Sequence, residues 1–359
     1  METQTPQTPA PQTLTNYPNT LGIDVSKDKL DCALLRQSSP GQRLNKCVSN
    51  SAAGVNQLLA WLLRNDATAA TTRVILEPTG VYHERATCLL HQAGCTVCLV
   101  NPARLRHYAN AIGVVSKNDQ IDAALLARYG ATEPLTPWQP PSEAARLLTA
   151  LLARREALCI DIQRESNRLE KAQCAMDTPK VVTTSIIKTR TFLQKELAAL
   201  DAKIKQHIDN DPTLKHNDKL LQSISGVGPR VAAGMNALMS SKVFTNAEAL
   251  ACYIGLNPVE HQSGSSVRGR TTLSKRGSAK MRKLLYLPAV TATKCNPQVR
   301  DIYTRLIARG ACKMSALGAA MRKLAHLCFG VLNSGKPYDP NWCTNHRSSA
   351  TASIKQAPN

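Results

Sequence analysis

Aromatic residues are scarce: Phe, Trp and Tyr together make up 4 % of the 359 residues. A core must then be aliphatic, and the 43 % hydrophobic content supplies an ordinary globular share of it. No apolar run reaches the roughly 18–20 residues that a membrane span needs. Met1–Thr20 carries neither Lys nor Arg and no apolar stretch, which is not the pattern of a secretory signal. No Gly-rich loop follows the first apolar run, Leu21–Val25, so nothing there is built to cradle a nucleotide. Internal repeats are absent too. A membrane protein, a secreted enzyme and a collagen-like or coiled-coil rod are excluded on these grounds. Acidic residues are in deficit, with 25 Asp+Glu against 45 Lys+Arg and a net charge of +20.

What is present begins with length, which at about 100–200 residues per domain predicts two or three domains. Twelve cysteines invite a disulfide framework. Without an export pattern, reduced thiols in a cytoplasmic protein are the expectation. The one metal-like cluster is Cys95-x-x-Cys98 with Cys88 and His91 nearby. Cys98 lies in the apolar run Val97–Val100, so buried structural thiols are favoured over zinc.

The positive charge is concentrated. Residues 216–335 hold 17 Lys+Arg and 4 Asp+Glu, a net +13, whereas 20–130 and 131–215 carry only +4 and +2. A solvated surface mixes signs; an excess of this size repels itself unless it meets a polyanion. Together with an isoelectric point near 9.7, it points to nucleic acid. A membrane surface fits less well, because the charges are not confined to one amphipathic face.

Composition divides the chain into a disordered leader (1–19), an α/β domain (20–130), a linker and helical arm (131–215), a basic domain (216–335) and a tail (336–359). Leu21–Val25, Leu30–Arg36 and Leu44–Val48 read as three strands, then Ala52–Arg64 as a helix. Strands at Arg73–Leu76 and Thr96–Val100 alternate with helices at Tyr82–Gln92, after Asn101-Pro102, and at Asp119–Tyr129. Three hairpin-linked strands followed by alternating helices and strands predict a ribonuclease H-like (RuvC-like) fold. A doubly wound sheet is the runner-up and would want a Gly-rich first loop. Four prolines in Pro134–Pro141 mark a linker. Beyond it, long Leu/Ile spacing predicts two long helices, a coiled-coil arm, broken at Thr178-Pro179. The third block is mostly helical with Gly-rich turns.

Four acidic residues stand out. Asp24 closes the first strand, Glu77 ends the fourth before Pro-Thr-Gly, and Asp119 and Asp122 share a helix face. In a ribonuclease H-like sheet these elements meet. Carboxylates gathered together repel unless a divalent cation joins them, and hard oxygen ligands select Mg²⁺ or Mn²⁺. Such ions serve phosphodiester chemistry. Taken singly, an Asp after a strand is usually a turn residue, and an i, i+3 acidic pair is usually a solvated face.

In the basic block, Gly226-Val-Gly228-Pro resembles a helix-hairpin-helix turn, whose second helix N-terminus can meet a phosphate; an ordinary helix connection has the same pattern. Next come Ser263-Gly-Ser-Ser-Val-Arg268-Gly-Arg270, Lys275-Arg276 and Lys280-Met-Arg282-Lys283. Gly and Ser keep this loop small, and the cations can grip phosphates. From composition alone it is a phosphate-contacting loop, with a nucleophilic serine as the sharper possibility.

Several motifs coincide: Leu21-Gly-Ile-Asp24-Val-Ser-Lys-Asp-Lys-Leu-Asp31, Glu77-Pro-Thr-Gly80-x-Tyr82, Val100-Asn-Pro102, Lys117-Asn-Asp119-Gln-Ile-Asp122, Gly226-Val-Gly228 and Ser263-Gly-Ser-Ser-Val-Arg-Gly269. In this order, across residues 20–340, they resemble the DEDD transposases of insertion sequences, the bridge-RNA-guided recombinases of the "one-ten" family. The resemblance implies a RuvC-like domain, a coiled-coil arm and a C-terminal transposase domain. It implies that Asp24, Glu77, Asp119 and Asp122 are the metal ligands and Ser263 the strand-attacking nucleophile, with Ser265 and Ser266 close by. It further implies double-stranded donor and target DNA, a structured guide (bridge) RNA, a dimer assembling to a tetramer, and action at the bacterial nucleoid. Asn118 departs from the Thr common there in the family. The rival functions are a RuvC-like junction endonuclease without a covalent intermediate, and a non-catalytic nucleic-acid-binding protein.

Overall fold

The computed structural model describes residues 17–114, 116, 118–259 and 272–341, and the backbone of 262–263 and 267–268. The leader before residue 17, Lys117, Ser265, Ser266, Arg270 and the tail after 341 lie outside the described residues. The chain forms two compact units, 1–140 and 141–359.

The first unit is a five-stranded sheet with helices on both faces. Its strands are β1 (Asn19–Val25), β2 (Lys29–Arg36), β3 (Arg43–Ser49), β4 (Thr72–Leu76) and β5 (Thr96–Leu99), and the spatial order is β3-β2-β1-β4-β5. β1 to β3 are an antiparallel meander, while β4 and β5 run parallel to β1. This is the ribonuclease H-like arrangement. β1 and β4 are central and covered on both sides, which is why they read as short continuous apolar runs. Helices α1 (Ala52–Leu63) and α2 (Tyr82–Gln92) pack Val55, Leu58, Leu62 and Leu90 against Leu21, Ile23 and Leu34 on one face. Helices α3 (Pro102–Ala111) and α4 (Asp119–Thr132) pack Leu105, Leu125, Leu126 and Tyr129 against Ile75 and Cys98 on the other.

Cys95 and Cys98 therefore belong to different hydrophobic clusters, one on each side of the sheet. Burial lifts the Cys95 thiol to about 11 and also raises that of Cys98. They are structural thiols.

The second unit opens with two long helices, α5 (Glu143–Cys174) and α6 (Lys180–Asn210), which pack along each other as an arm broken at Pro179. The Arg155 guanidinium joins them by gripping both oxygens of Asp201, at 2.6 and 3.2 Å. The remaining helices are α7 (Pro212–Gln222), α8 (Pro229–Ser241), α9 (Ala247–Ile254), α10 (Ala279–Cys295), α11 (Pro297–Ala308) and α12 (Lys313–Ser334). Their core is aliphatic, with Leu221, Ile224, Leu250, Leu285 and Leu324 fully buried. Between α9 and α10 lie four two-residue strands: β6 (Pro258–Val259) pairs with β9 (Thr272–Leu273), and β7 (Gln262–Ser263) with β8 (Val267–Arg268). No helix among the described residues is long and apolar enough to cross a membrane.

Candidate active site

Asp24 is the second-last residue of β1, and alternation along that strand decides which way it faces. A Cβ on Gly22 would lie 2.0 Å from the Ala123 carbonyl oxygen and 2.4 Å from the Ala127 nitrogen, so α4 rests directly on β1 at that point. Any side chain at position 22 would lift the helix away. Asp24, two residues on, shares that face and meets the first turn of α4. Asn118 starts the helix there: its Oδ1 accepts from the Ile121 N–H at 2.8 Å. Thr and Asn are both good N-caps, so the departure from the family's Thr keeps the cap. Asp119 and Asp122 sit in the first turn, where the helix dipole favours negative charge.

β4 delivers Glu77 to the same end of the sheet. Ile23 and Leu76 are register partners on the two parallel strands, and Asp24 and Glu77 are the residues that follow them. The loop after Glu77 is tied to the β1–β2 turn through Asn50, whose Nδ2 donates to the Ser26 carbonyl at 2.9 Å and to the Tyr82 carbonyl at 3.0 Å.

Two residues join this end of the sheet that the motif reading left without a role. Asp31 is the cross-strand partner of Asp24 and is 8 % exposed. Lys29 precedes it by two residues on the same face, and its ammonium donates to Asp119 Oδ2 at 2.6 Å and contacts Asp31 Oδ2 at 3.0 Å. Those hydrogen bonds, first to Asp119 and then to Asp31, raise the Lys29 pKa above its usual value. A hairpin register would have exposed both: with the turn at Ser26–Lys29, Asp31 must oppose Asp24.

The electrostatics match a crowded acid site. Burial raises the Asp24 pKa, and the charges of Asp122, Asp119 and Asp31 raise it further, against a backbone hydrogen bond from Val25. Two of the other expected acids, Asp119 and Asp122, thus act on Asp24, and Glu77 follows the end of the adjoining strand. Among the described residues, no three His, Cys, Asp or Glu side chains are gathered closely enough to hold a metal ion. The positive charge that joins Asp31 to Asp119 is the Lys29 ammonium.

The basic residues belong to the second unit. Gly226 has φ +99°, and a Cβ on it would meet Ala292 of α10 at 2.9 Å, so the turn between α7 and α8 packs tightly. Gly228 is the N-cap of α8 with no side-chain cap and open space above it. Arg282 serves the fold: its Nη1 donates to the Ile254 and Gly277 carbonyls, both at 2.9 Å, clamping the end of α9 to the start of α10. Lys283 reaches Glu156 at 3.0 Å, where Arg230 also contacts the carboxylate. Lys275, Arg276 and Lys280 are exposed. Ser263 is the last residue of β7, paired with Val267, and Arg268 lies on β8; their side chains are outside the described residues.

Family comparison decides the class. A family model described as "Transposase" matches residues 21–173, and one described as "Transposase IS116/IS110/IS902 family" matches 218–304. The chain is 30 % identical to the pilin gene-inverting proteins of Moraxella bovis and Moraxella lacunata, over 89 % of its own length and 97 % of theirs. This chain belongs to the IS110 transposase family. An insertion element IS110 protein of Streptomyces coelicolor is 28 % identical over 45 % of this chain and 39 % of that protein. Among solved structures, Thermus thermophilus RuvC in complex with a Holliday junction substrate is similar over 34 % of this chain and 99 % of its own, at 13 % identity and a TM-score of 0.25. As an IS110-family transposase, the chain is a DNA-modifying enzyme with DNA as its partner.

Proposed function

We propose that this transposase is a Mg²⁺-dependent, RNA-guided recombinase that excises and inserts its own mobile element through a phosphoserine intermediate on Ser263. The observation that supports the reading is that the charges of Asp122 and Asp119, in the first turn of α4, act on Asp24 at the end of β1. This donor set is all hard oxygen and is burdened by mutual repulsion, which fits a divalent cation of the Mg²⁺ or Mn²⁺ kind. Asp24, Glu77, Asp119 and Asp122 would hold it. Bound there, the ion supplies neutralisation of the charge that develops on a reacting phosphate.

The covalent step belongs to Ser263. Its hydroxyl oxygen attacks phosphorus, the bond from phosphorus to the departing strand oxygen breaks, and that oxygen takes up the proton the serine loses. Attack by another strand's hydroxyl reverses the step and frees the serine. The number of phosphoester bonds is conserved, so no nucleotide cofactor is required. Gly226, Gly228, Arg268, Arg270, Lys275, Arg276, Lys280, Arg282 and Lys283 would hold nucleic-acid backbone, with the α7–α8 turn acting as a helix-hairpin-helix contact. Sequence recognition would fall to pairing with a guide RNA, which leaves the protein to grip charge and shape. Two relatives are named for gene inversion, a product the same cleavage and exchange would give. A dimer assembling to a tetramer is the expected assembly.

The test is a trapping assay. Full-length protein, Mg²⁺, RNA transcribed from the element's flanks and donor DNA are incubated and run on a denaturing gel. A covalent protein–DNA band that is lost in Ser263→Ala and in Asp24→Ala is the expected result. Cleavage without a band would instead support the junction endonuclease. Strand exchange that survives Ser263→Ala would sink the phosphoserine route.

A further inference from the structure

Lys29 stands where the acid site draws a cation, and the chain itself provides it. The ammonium bridges Asp119 on α4 and Asp31 on β2, with contacts of 2.6 and 3.0 Å. Its approach is fixed by the hairpin turn, in which the Ser26 hydroxyl accepts from the Lys29 N–H at 3.2 Å and donates to the Lys29 carbonyl at 3.0 Å. Asp31 is nearly buried, whereas Asp119 is half exposed, so the two acids differ in how easily they can exchange Lys29 for another cation. The inner carboxylate is the poorer candidate for water or ions to solvate, and the outer one is open to solvent.

We infer that Lys29 is a resident counter-ion of the acid site: it competes with the divalent cation for Asp119, and Asp31 is the acid that retains it once Asp119 turns to the metal. Lys29 and Asp31 are positioning residues in this scheme. Before metal binds, the ammonium offsets the repulsion among Asp24, Asp31, Asp119 and Asp122 and keeps α4 seated over β1. When metal binds, Lys29 swings onto Asp31 and leaves Asp119 to the ion. No bond is made or broken and no proton is transferred. The inference rests on the reading of Asp24, Glu77, Asp119 and Asp122 as the metal-holding acids.

The predictions have opposite signs for the two partners. Removing a unit positive charge a few ångströms from a dication, at a solvent-exposed site, strengthens metal binding by about three- to tenfold. Removing the Asp31 charge weakens it by a similar factor, because Lys29 then has only Asp119 to hold. Mn²⁺ affinity of the full chain without nucleic acid, read from the electron paramagnetic resonance of free Mn²⁺, measures both. Lys29→Met binds Mn²⁺ about three- to tenfold tighter than the unaltered protein. Lys29→Arg, which keeps the charge, stays within about twofold. Asp31→Asn binds more weakly. Should the buried Asp31→Asn variant fail to give a folded circular dichroism spectrum, the two Lys29 variants decide alone.

Equal or weaker Mn²⁺ binding by Lys29→Met overturns the inference. The underlying metal reading is judged separately with Asp24→Ala: if that variant and the unaltered protein bind Mn²⁺ alike, the acid site holds no metal and both conclusions fall. If Asp24→Ala abolishes binding while Lys29→Met changes nothing, only the role of Lys29 is lost.

Discussion

Replacing Gly22 by Ala places a methyl carbon 2.0 Å from the Ala123 carbonyl oxygen and 2.4 Å from the Ala127 nitrogen. Both contacts are backbone, so no side-chain rotation relieves them. Ordinary contact begins at 3.4 Å, so α4 must withdraw from β1 by about 1.4 Å at that point. Overpacking of this kind costs about 1–3 kcal/mol. For a unit of this size that lowers Tm by about 3–10 °C. The displacement is centred on Ala123, next to Asp122 and one turn from Asp119, and it carries them away from Asp24. Misplacement of catalytic groups by about 1 Å costs on the order of 10²-fold in rate. Gly94→Ala is the comparator. Gly94 has φ +91° with nothing within 4 Å, so Ala there meets backbone strain of about 1–2 kcal/mol but moves no helix. Thermal denaturation and strand cleavage at saturating Mg²⁺ are measured on both variants. Gly22→Ala should lose stability and about 10²-fold in cleavage, whereas Gly94→Ala should lose stability alone. Equal cleavage by the two variants refutes the claim that helix seating sets the acid geometry.

Asp24→Asn should abolish strand cleavage while raising Tm at neutral pH. The Asp24 pKa is raised, so the folded state holds that proton more tightly than the unfolded chain. The associated stability is full below the ordinary carboxyl value of 3.8 and is lost as pH rises through the folded value, a loss that Asn escapes. A Tm that falls in Asp24→Asn contradicts this. Glu156 runs the other way: the Lys283 hydrogen bond, with the Arg230 charge, lowers its pKa. Its contribution is present above the ordinary value of 4.5 and fades as pH falls through the lower folded value, so Glu156→Gln should flatten the acid limb of the stability curve. Asn50→Ala removes the amide that joins the β1–β2 turn to the loop after Glu77, and cleavage should fall more than Tm does. Arg276→Ala and Lys280→Ala should each reduce the salt dependence of DNA binding by about one unit of slope without changing sequence preference; an unchanged slope removes that residue from the backbone contacts.

Much of the site was legible in the linear chain because its signals are local. Runs of four to seven residues gave the strands of the first unit, and helical spacing placed α1, α2 and α4. Asp24 and Glu77 stood out as charges at strand ends. The hairpin of β7 and β8 was read as a Ser/Gly loop, since two-residue strands carry no periodicity. The charge of Arg282 is visible in the sequence, whereas the Ile254 and Gly277 carbonyls that accept from its Nη1 are not.

Composition and motif order by themselves determined the class of this protein, its basic block at residues 216–335 and its four expected acids. Only the tertiary structure decided that Lys29 is the cation between Asp31 and Asp119, and that Gly22 is bare so that α4 can touch β1. The reason is range. Propensity, capping and periodicity act over a few residues, whereas Lys29 and Asp119 are 90 positions apart and meet only after the sheet register and the seating of α4 have been set.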